Sequence, residues 1–296
     1  MIPTVSVVVA TYRRDEALKN ALESLAKQSY SNFEIVLVDD NSNGEWNEKV
    51  GRIVDAFRQL YPDIELNYIP NAENQGSAKT RNIGIDASKG EYITFLDDDD
   101  VYLPEKIKRQ VGFMQDGGYD FSITDLDLFN ENDKLIDKRV RSYIKDTSNS
   151  ALLQYHLKYH MTGTDTMMFK KDYLVKIGKF APIDVGDEFY LMQRAIDGEG
   201  HFGYLPGSDI KAYVHTGEGG LSSGDSKING ENALFEYKKN YFDKLSSKDR
   251  RYIRVRHYAV IAFAEIRRKK YFAFIANAFK AFVCSPVDCI KMLISR

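Results

Sequence analysis

Four consecutive aspartates at positions 97 to 100 are the residues of this sequence that most directly suggest chemistry. They follow residues 92–96, an apolar run typical of a buried strand. Adjacent carboxylates repel one another, which is unfavourable and is not needed for folding. A bound cation that offsets the repulsion is therefore one explanation for the cluster. A solvated acidic turn is the other explanation. Because ligands of open α/β sheets bind outside the carboxyl ends of the strands, the position of these aspartates favours ligand binding.

A second acidic pair, Asp39 and Asp40, also follows an apolar run, residues 33–38. Carboxylates accept hydrogen bonds from a base or a ribose, and a divalent metal can neutralise a diphosphate. Acids at the ends of two strands therefore suit a ligand that contains a nucleotide.

The segments around these acids alternate between strand and helix patterns. Apolar runs predict strands at about 5–10, 33–38, 66–69 and 92–96, and apolar residues at helical spacing predict a helix after each of the first three. This alternation predicts a parallel, doubly wound sheet with right-handed crossovers. Farther along, the pattern predicts one strand at 121–127, a charged, irregular stretch up to residue 150, and strands at 162–169 and 202–205. The loop after the first strand has neither a G-x-G-x-x-G nor a Walker motif, so the sheet must hold its ligand in another way.

The composition is that of a soluble globular protein, with 43% hydrophobic and 28% charged residues, and the net charge of −2 predicts no nucleic-acid partner. The 296 residues suffice for one large domain or for one domain with an appendage. Cys284 and Cys289 have no partner at metal-ligand spacing and predict reduced thiols. No signal-peptide pattern and no apolar run of about 18 residues is found, so we predict a cytoplasmic protein.

Charge is distributed unevenly along the chain. Residues 248–296 contain 12 Lys and Arg against three Asp and Glu, a net charge of +9 that leaves −11 for the first 247 residues. Apolar and aromatic residues at helical spacing predict three helices beyond Asn229, one from Phe235 to Leu245 and two in the basic region, from Tyr252 to Phe263 and from Phe272 to Phe282. The basic region is either a solvated helical cap or an attachment to an anionic membrane at the inner face of the plasma membrane. Nucleic-acid binding by this region has no motif behind it.

Five segments of the chain resemble those of the family-2 inverting glycosyltransferases, in the same order and at similar spacing. They read VSVVVATYRR, FEIVLVDDNS, NQGSAKTRNIGIDASKGEYITFLDDDD, PEKIKRQ and VGDEFYLMQRA, and together they cover roughly residues 3–220. The resemblance implies the GT-A fold, an α/β domain that binds nucleotide-diphospho-sugars, over residues 1–228. Its donor half would end at about residue 116 and its acceptor half would be residues 117–228. Residues 229–296 would form a C-terminal helical appendage.

The resemblance assigns one group of residues to the nucleotide-sugar. The loop after the first strand would cover the nucleoside, a strand-end carboxylate would accept from the base, and a guanidinium would meet phosphate oxygens in fork geometry. In chain order these residues are Ala10, Thr11, Tyr12, Arg13, Asp40, Asn74, Arg81 and Asp98. Two of them have structural alternatives, because Asn74 can simply turn the chain and Arg81 can pair with a surface acid.

The resemblance also implies a divalent metal, Mg²⁺ or Mn²⁺, on Asp99, where it would act as a Lewis acid on the leaving group. Asp97 and Asp100 would orient the loop, and Asp100 could also cap the helix that starts near Pro104. His215 lies in a Gly- and Ser-rich segment and is either a further metal ligand or an ordinary polar residue.

Transfer with inversion needs a base that removes the proton of the attacking hydroxyl. The family has an acidic pair with its base six residues before an Arg. Counting back from Arg194 gives Glu188, whereas Asp187 is the choice by residue type, because the family usually has Asp there. We predict Glu188 as the base and keep Asp187 as the alternative. Acids that only complement a helix dipole are the structural alternative.

The sequence therefore predicts a metal-dependent, inverting, hexosyltransferase-like enzyme. Its donor would be a nucleotide diphosphate sugar, UDP-linked by resemblance, and its acceptor a glycan or lipid-linked hydroxyl in bacterial cell-surface polysaccharide synthesis. A non-catalytic nucleotide-sugar-binding or scaffold protein is one alternative. A sugar-phosphate nucleotidyltransferase is another, although the segment ATYRR lacks the glycine-rich loop that such an enzyme would need.

Overall fold

The computed structural model describes residues 4–183, 186–214 and 224–294. The chain forms two compact units: Met1–Asn149 with Met161–His215, and Ser150–His160 with Thr216–Arg296. The second unit thus includes a segment from the middle of the chain, which the sequence patterns had not assigned to the C-terminal helical region.

The first unit contains the strands and the helices expected around the two acidic clusters. Its strands are β1 Val5–Thr11, β2 Phe33–Asp39, β3 Glu65–Pro70, β4 Tyr92–Asp97, β5 Val101–Tyr102, β6 Phe121–Thr124, β7 Leu126–Phe129, β8 Leu135–Arg139, β9 Met167–Lys170, β10 Phe202–Leu205 and β11 Ile210–Tyr213. Its helices are α1 Glu16–Ala26, α2 Gly44–Leu60, α3 Ser77–Ala87, α4 Lys106–Gly117, α6 Lys171–Lys176 and α7 Asp187–Asp197, and α5 Asn149–Tyr159 leads into the second unit.

A mostly parallel, seven-stranded sheet forms the core of the first unit, in the order β10-β6-β9-β4-β1-β2-β3 among the described residues. Strands β1, β2, β3 and β4 run parallel, and β9 is antiparallel to both of its neighbours. The register sets Thr11 beside Asp39 and Ala10 beside Asp97, so both acidic clusters lie at one edge of the sheet. The predicted α/β architecture is confirmed.

Local sequence accounts for the first crossover. All residues of β2 and all but one of β1 are buried, as their continuous apolar runs require in a sheet covered on both faces. Helix α1 begins after Asp15, whose side chain accepts from the backbone N–H of Glu16 at 2.7 Å. Its apolar stripe, Leu18, Ala21, Leu22 and Leu25, is buried against the sheet core.

The segment 121–127 was expected to be one strand, and the structure divides it at Asp125. The buried Asp125 carboxylate accepts from the backbone N–H of Arg141 at 2.8 Å, the Tyr204 hydroxyl at 2.6 Å and the backbone N–H of Gly207 at 2.8 Å. The chain therefore leaves the main sheet, and β7 joins a second sheet in the order β5-β11-β7-β8. The stretch up to residue 150, predicted as irregular, contains β8. Residues 162–166, predicted as part of a strand, include a 3₁₀ turn at Thr164–Thr166 ahead of β9.

The second unit is helical. Besides α5 it contains α8 Gly224–Lys239, a 3₁₀ turn at Phe242–Lys244, α9 Ser247–Arg267, α10 Tyr271–Cys284 and α11 Pro286–Ile294. Helix α8 ends before Tyr241 and Leu245, which the sequence pattern had placed in one helix with Phe235. Across the described helices, none combines the length and apolar character needed to cross a membrane.

Candidate active site

The loop after β1 is attached to Asp98. The Thr11 hydroxyl donates to Asp98 Oδ2 at 2.7 Å, and the Tyr12 backbone N–H donates to the same oxygen at 3.1 Å. Burial, together with the neighbouring charge of Asp99, raises the pKa of Asp98 to about 7, although these two donors oppose the shift. The loop after β1 and the acidic run are thus joined by hydrogen bonds.

The same loop exposes two of the predicted nucleotide-binding side chains. Arg13 has a φ of 54°, and its backbone N–H donates to Asn41 Oδ1 at 2.7 Å. Its guanidinium lies 5.1 Å from the centre of the Tyr12 ring, which is 46% exposed. A positive φ is costly for a non-glycine residue, so the Asn41 contact helps to hold a conformation that presents Tyr12 and Arg13 at the sheet edge.

Arg14, which the sequence did not suggest, contacts the predicted metal ligand. Its Nη2 lies 2.7 Å from Asp99 Oδ2 and its Nε lies 3.6 Å from Asp98 Oδ1. The positively charged Arg14 side chain therefore contacts Asp99, the residue at which a divalent ion was predicted, and its neighbour Asp98. A metal at Asp99 would replace this guanidinium contact.

Asp40 holds the loop between β3 and α3. Its carboxylate accepts from Asn71 Nδ2 at 2.8 Å and from the backbone N–H groups of Gln75 at 2.8 Å and Gly76 at 2.9 Å. The Asn74 side chain donates to the Asp40 carbonyl at 3.0 Å. A carboxylate has about four acceptor sites, so three protein donors leave Asp40 about one for a ligand.

Asp39 has four protein donors instead. The Asn41 backbone N–H and Asn41 Nδ2 donate to one oxygen at 3.0 and 2.6 Å, and Asn47 Nδ2 and the Tyr68 hydroxyl donate to the other at 2.7 and 2.8 Å. These four donors occupy the acceptor sites of Asp39, so its role is to hold the end of β2 and the residues around it in place.

Arg81 connects two parts of the site that are far apart in sequence. From α3 its Nη2 contacts Asp97 Oδ1 at 2.7 Å, and its Nη1 contacts Asp187 Oδ2 at 2.8 Å. Burial alone would lower the pKa of Arg81, but the two carboxylates have the larger effect and raise it. The guanidinium is therefore permanently charged. Gly76, with a φ of 77°, makes the left-handed entry into α3 from which this side chain extends.

The predicted base lies at the first turn of α7. Asp187 accepts from Arg81, from the Ser77 hydroxyl at 3.2 Å and from the Glu188 backbone N–H at 2.9 Å. Burial and the adjacent Asp187 raise the pKa of the half-buried Glu188 to about 8. The two acids therefore differ: Asp187 is held as a partner of Arg81, and Glu188 is poised to exchange a proton near neutral pH.

Three aspartates form a second acidic cluster, which the sequence predicted only in part. Ligand oxygens of Asp97, Asp100 and Asp165 lie within 4.8 Å of one another. The Asp97 backbone N–H donates to Asp165 Oδ1, and the Tyr213 backbone N–H donates to Asp100 Oδ1, both at 2.8 Å. Asp100 does not cap α4 as suggested, because that helix begins at Lys106 with Glu105 in the capping position. Asp165 was missed, although it is an isolated acid in the otherwise buried segment 164–169.

Burial and mutual repulsion raise the pKa values of these carboxyl groups. Burial raises the pKa of Asp165 to about 7, with Asp97 adding to the effect, and burial together with Asp165 raises that of Asp100 well above its usual range. The buried Lys106 amine donates to Thr94 Oγ1 at 2.8 Å and to the Tyr102 hydroxyl at 3.1 Å, and burial lowers its pKa to about 7. A set of oxygen ligands with raised pKa values fits a hard divalent cation such as Mg²⁺ or Mn²⁺.

The predicted metal ligands are not in that group. Asp99 lies outside it and pairs with Arg14, and His215 lies outside the described residues. A cavity of about 490 Å³ reaches Asp99, but its other walls come from α1, β5, the β7–β8 turn and β11. Among the described residues that were predicted for the site, Asp99 alone lines this cavity.

Sequence comparison identifies relatives of this chain. The profile of glycosyl transferase family 2 matches residues 6–178. An uncharacterized glycosyltransferase of Methanocaldococcus jannaschii is 30% identical over 177 residues, which are 59% of this chain and 58% of that protein. TuaG of Bacillus subtilis, a glycosyltransferase assigned to teichuronic acid biosynthesis, is 28% identical over 170 residues, 57% of this chain and 63% of its own length. The matched region therefore spans less than two thirds of these relatives.

Solved structures share the fold over nearly the whole chain. Residues 1–349 of S. aureus TarS with UDP-GlcNAc match with a TM-score of 0.61 at 17% identity, covering 95% of this chain and 91% of that one. The mannosyltransferase PcManGT of Pyrobaculum calidifontis, with GDP-Man and Mn²⁺, matches with a TM-score of 0.59 at 17% identity, covering 97% and 74%. These likenesses confirm the GT-A fold. Since the profile extends over more than half of its length, the chain belongs to glycosyl transferase family 2.

Proposed function

We propose that this chain is an inverting glycosyltransferase that moves a sugar from a nucleotide diphosphate donor to a hydroxyl group. The observation that carries the proposal is the pair of contacts made by Arg81, to Asp97 at the end of β4 and to Asp187 at the start of α7. Inverting transfer needs donor-binding groups and a base within one site, and this guanidinium joins the elements that carry them.

The donor in this proposal is a UDP-sugar. The exposed Tyr12 and Arg13 side chains are available to a base, and the remaining acceptor site of Asp40 suits a base N–H. Asn74 keeps the adjacent loop against Asp40, and Asp98, which accepts from the Thr11 hydroxyl, would bind the ribose. TarS is described with UDP-GlcNAc and PcManGT with GDP-Man, so GDP-sugars are the second donor class to test.

Glu188 is the proposed base. It would take the proton of the acceptor hydroxyl as that oxygen bonds to the anomeric carbon, while the bond from that carbon to the diphosphate oxygen breaks on the opposite face. A base is most effective when its pKa lies near the working pH, and burial beside Asp187 gives Glu188 a pKa of about 8. Asp187 would act through Arg81 and Glu188 as a positioning residue.

A divalent cation, Mg²⁺ or Mn²⁺, is the proposed cofactor, with Asp99 as a ligand and His215 as a further one. When bound, it would supply Lewis-acid stabilisation of the departing diphosphate. The Mn²⁺ described with PcManGT and the acidic donor set of this chain support a cation of this kind. The group of Asp97, Asp100 and Asp165 is the alternative place for it.

The proposed acceptor is a glycan or lipid-linked hydroxyl of a bacterial cell-surface polysaccharide. The support is the assignment of the relative TuaG to teichuronic acid biosynthesis.

A donor screen that measures nucleotide release tests this proposal. The purified chain is incubated with UDP- and GDP-sugars in Mn²⁺, in Mg²⁺ and in EDTA, and Glu188→Gln is the matched control. Release from a nucleotide-sugar that requires a divalent ion and falls in the variant is expected. Donor binding without any turnover, even with acceptor glycans present, would instead identify a non-catalytic binding protein.

A further inference from the structure

Exposed aromatic and aliphatic side chains lie along α10, and α11 carries two more exposed aliphatic side chains. Phe272 is 91% exposed, Phe279 67% and Val283 63%, and among the described residues of α10 only Ala281 is buried. Within α10 the exposed residues recur at spacings of three and four, which sets them along one helical stripe. We call the exposed apolar residues of the two helices the α10–α11 face; it comprises Tyr271, Phe272, Ile275, Phe279, Phe282, Val283, Val287 and Ile290.

Such a surface is unusual on a protein that is surrounded only by water. Single exposed apolar residues are ordinary, but a contiguous apolar patch marks a site at which something else binds. Val287 and Ile290 lie in α11, so two consecutive helices contribute exposed residues to the face. Within the described part of the chain nothing covers these residues.

The charges around the face indicate the chemistry of that occupant. Residues 267–294 contain six Lys and Arg against one acid, Asp288, a net charge of +5. Arg267, Lys269, Lys270, Lys280 and Lys291 are exposed. An apolar stripe bordered by basic side chains complements a surface that is apolar inside and anionic outside.

A second copy of the chain would complement the face poorly. Two copies joined through this stripe would bring two segments of +5 together, and residues 267–294 offer only Asp288 to offset them. Like charges at a desolvated contact oppose association. An anionic bilayer, by contrast, supplies negative headgroups beside acyl chains.

The helices also have the dimensions of a surface-bound element. Helix α10 has 14 residues, so its length is about 21 Å, shorter than the roughly 30 Å hydrocarbon core of a bilayer. A helix of this length with one apolar stripe lies in the membrane interface and does not span it.

We propose that the α10–α11 face docks on an anionic lipid bilayer, with its aromatic and aliphatic side chains in the interfacial layer and its basic side chains at the headgroups. This inference does not depend on sugar transfer, because it concerns the second unit alone. It places a lipid surface among the partners of the chain.

Vesicle sedimentation of the full-length protein tests the proposal. Vesicles of phosphatidylcholine with phosphatidylglycerol are compared with vesicles of phosphatidylcholine alone at low ionic strength. Binding to the anionic vesicles, weaker binding to the neutral ones and a decrease with added salt are expected, since salt screens the headgroup attraction. Absence of binding to the anionic vesicles at low salt overturns the proposal.

A double variant and a matched control distinguish vesicle binding through the α10–α11 face from nonspecific adsorption. Phe272→Ser combined with Phe279→Ser should weaken partitioning by at least about tenfold, because two large apolar side chains no longer enter the interface. The control is Leu60→Ser in α2, a side chain that is 68% exposed in the first unit, and it should bind like the wild type. All three positions are exposed, so melting temperatures should remain unchanged. Equal vesicle binding by the double variant would refute the role of the face.

Charge and self-association are tested with the same protein. Arg267→Glu combined with Lys291→Glu should abolish the preference for anionic vesicles. Light scattering after size-exclusion chromatography reports the oligomeric state. The lipid proposal would be refuted if the wild type is a dimer that does not bind vesicles and Phe272→Ser/Phe279→Ser dissociates it. The occupant of the face would then be a second copy of the chain.

An environment-sensitive fluorophore distinguishes insertion from adsorption. The chain has two cysteines, and Cys289 lies in α11 beside the exposed Ile290. With Cys284→Ser as background, a label on Cys289 should shift to the blue with anionic vesicles. Sedimentation without a spectral shift would mean that the basic residues adsorb while the apolar face stays in water, contrary to the proposal.

Discussion

Replacing Glu188 by Gln is the sharpest test of the proposed chemistry. The substitution keeps the shape of the side chain and removes its capacity to accept a proton. Loss of a general base lowers turnover by about 10²- to 10⁴-fold, and an interaction made only in the transition state changes kcat and leaves ground-state binding alone. We expect kcat to fall at least about a hundredfold while donor affinity changes little.

The raised pKa of Glu188 adds a quantitative expectation for the wild type. With a pKa of about 8, roughly a tenth of the free enzyme carries the ionised base at pH 7 and roughly nine tenths at pH 9. A base acts only when it is ionised, so kcat/KM should rise about tenfold over this interval. The residual activity of Glu188→Gln should lack that dependence.

Asp187→Asn is the matched control, because it removes the neighbouring carboxylate. Asp187 is buried and contacts Arg81, whose side chain is 12% exposed, at 2.8 Å, and breaking a buried pair costs about 3–5 kcal/mol. This variant should therefore unfold at a lower temperature, whereas Glu188→Gln should not.

Nucleotide release measured between pH 6 and pH 9, together with thermal melts, provides both readouts. If Asp187→Asn keeps its melting temperature and loses turnover, while Glu188→Gln remains active, then Asp187 is the base. A wild-type kcat/KM that does not change with pH would refute the argument from the raised pKa.

Three further predictions follow from the same geometry. Asp99→Asn should abolish turnover and weaken UDP binding measured calorimetrically with Mn²⁺, whereas Asp165→Asn should not weaken that binding; full wild-type activity in EDTA would contradict the metal assignment. Arg14→Gln should raise the affinity for Mn²⁺ without nucleotide by roughly two- to fivefold, because it removes a partly exposed cation from Asp99, and unchanged Mn²⁺ titrations would disprove that competition. In the folded state Glu188 retains a proton that the unfolded chain releases above about pH 4.5, so the wild type loses stability as pH rises from 4.5 towards 8. The melting temperature of Glu188→Gln relative to the wild type should therefore increase over that range, and a constant difference would count against the raised pKa.

The main sheet could be predicted from the sequence because its signals are local. Apolar runs of strand length alternate with helical spacing through residue 97, and the right-handed crossover then leaves few arrangements. The division at Asp125 could not be predicted, since the apolar pattern continues through it. It depends on donors from Arg141, Tyr204 and Gly207, which only the folded chain brings to that carboxylate.

The residues of the candidate site could likewise be predicted only in part. The acids at the strand ends and at the start of α7 are visible as residue types at recognisable spacings. Their partners are not, because Arg81 meets a carboxylate 106 positions away and Asp165 meets Asp97 across 68 positions. Arg194, which served to locate Glu188, donates to the carbonyls of Gly178 and Lys179 and lies away from these contacts.

The sequence by itself thus determined the α/β plan, the acidic groups at the sheet edge and the basic, aromatic character of residues 248–296, since each follows from neighbouring residues and hydrophobic period. Only the tertiary structure decided that Asp187 is paired with Arg81, that Glu188 has a raised pKa, and that the aromatic side of α10 is exposed. Pairing, desolvation and exposure depend on which distant segments pack together, and that information is absent from any short stretch of the chain.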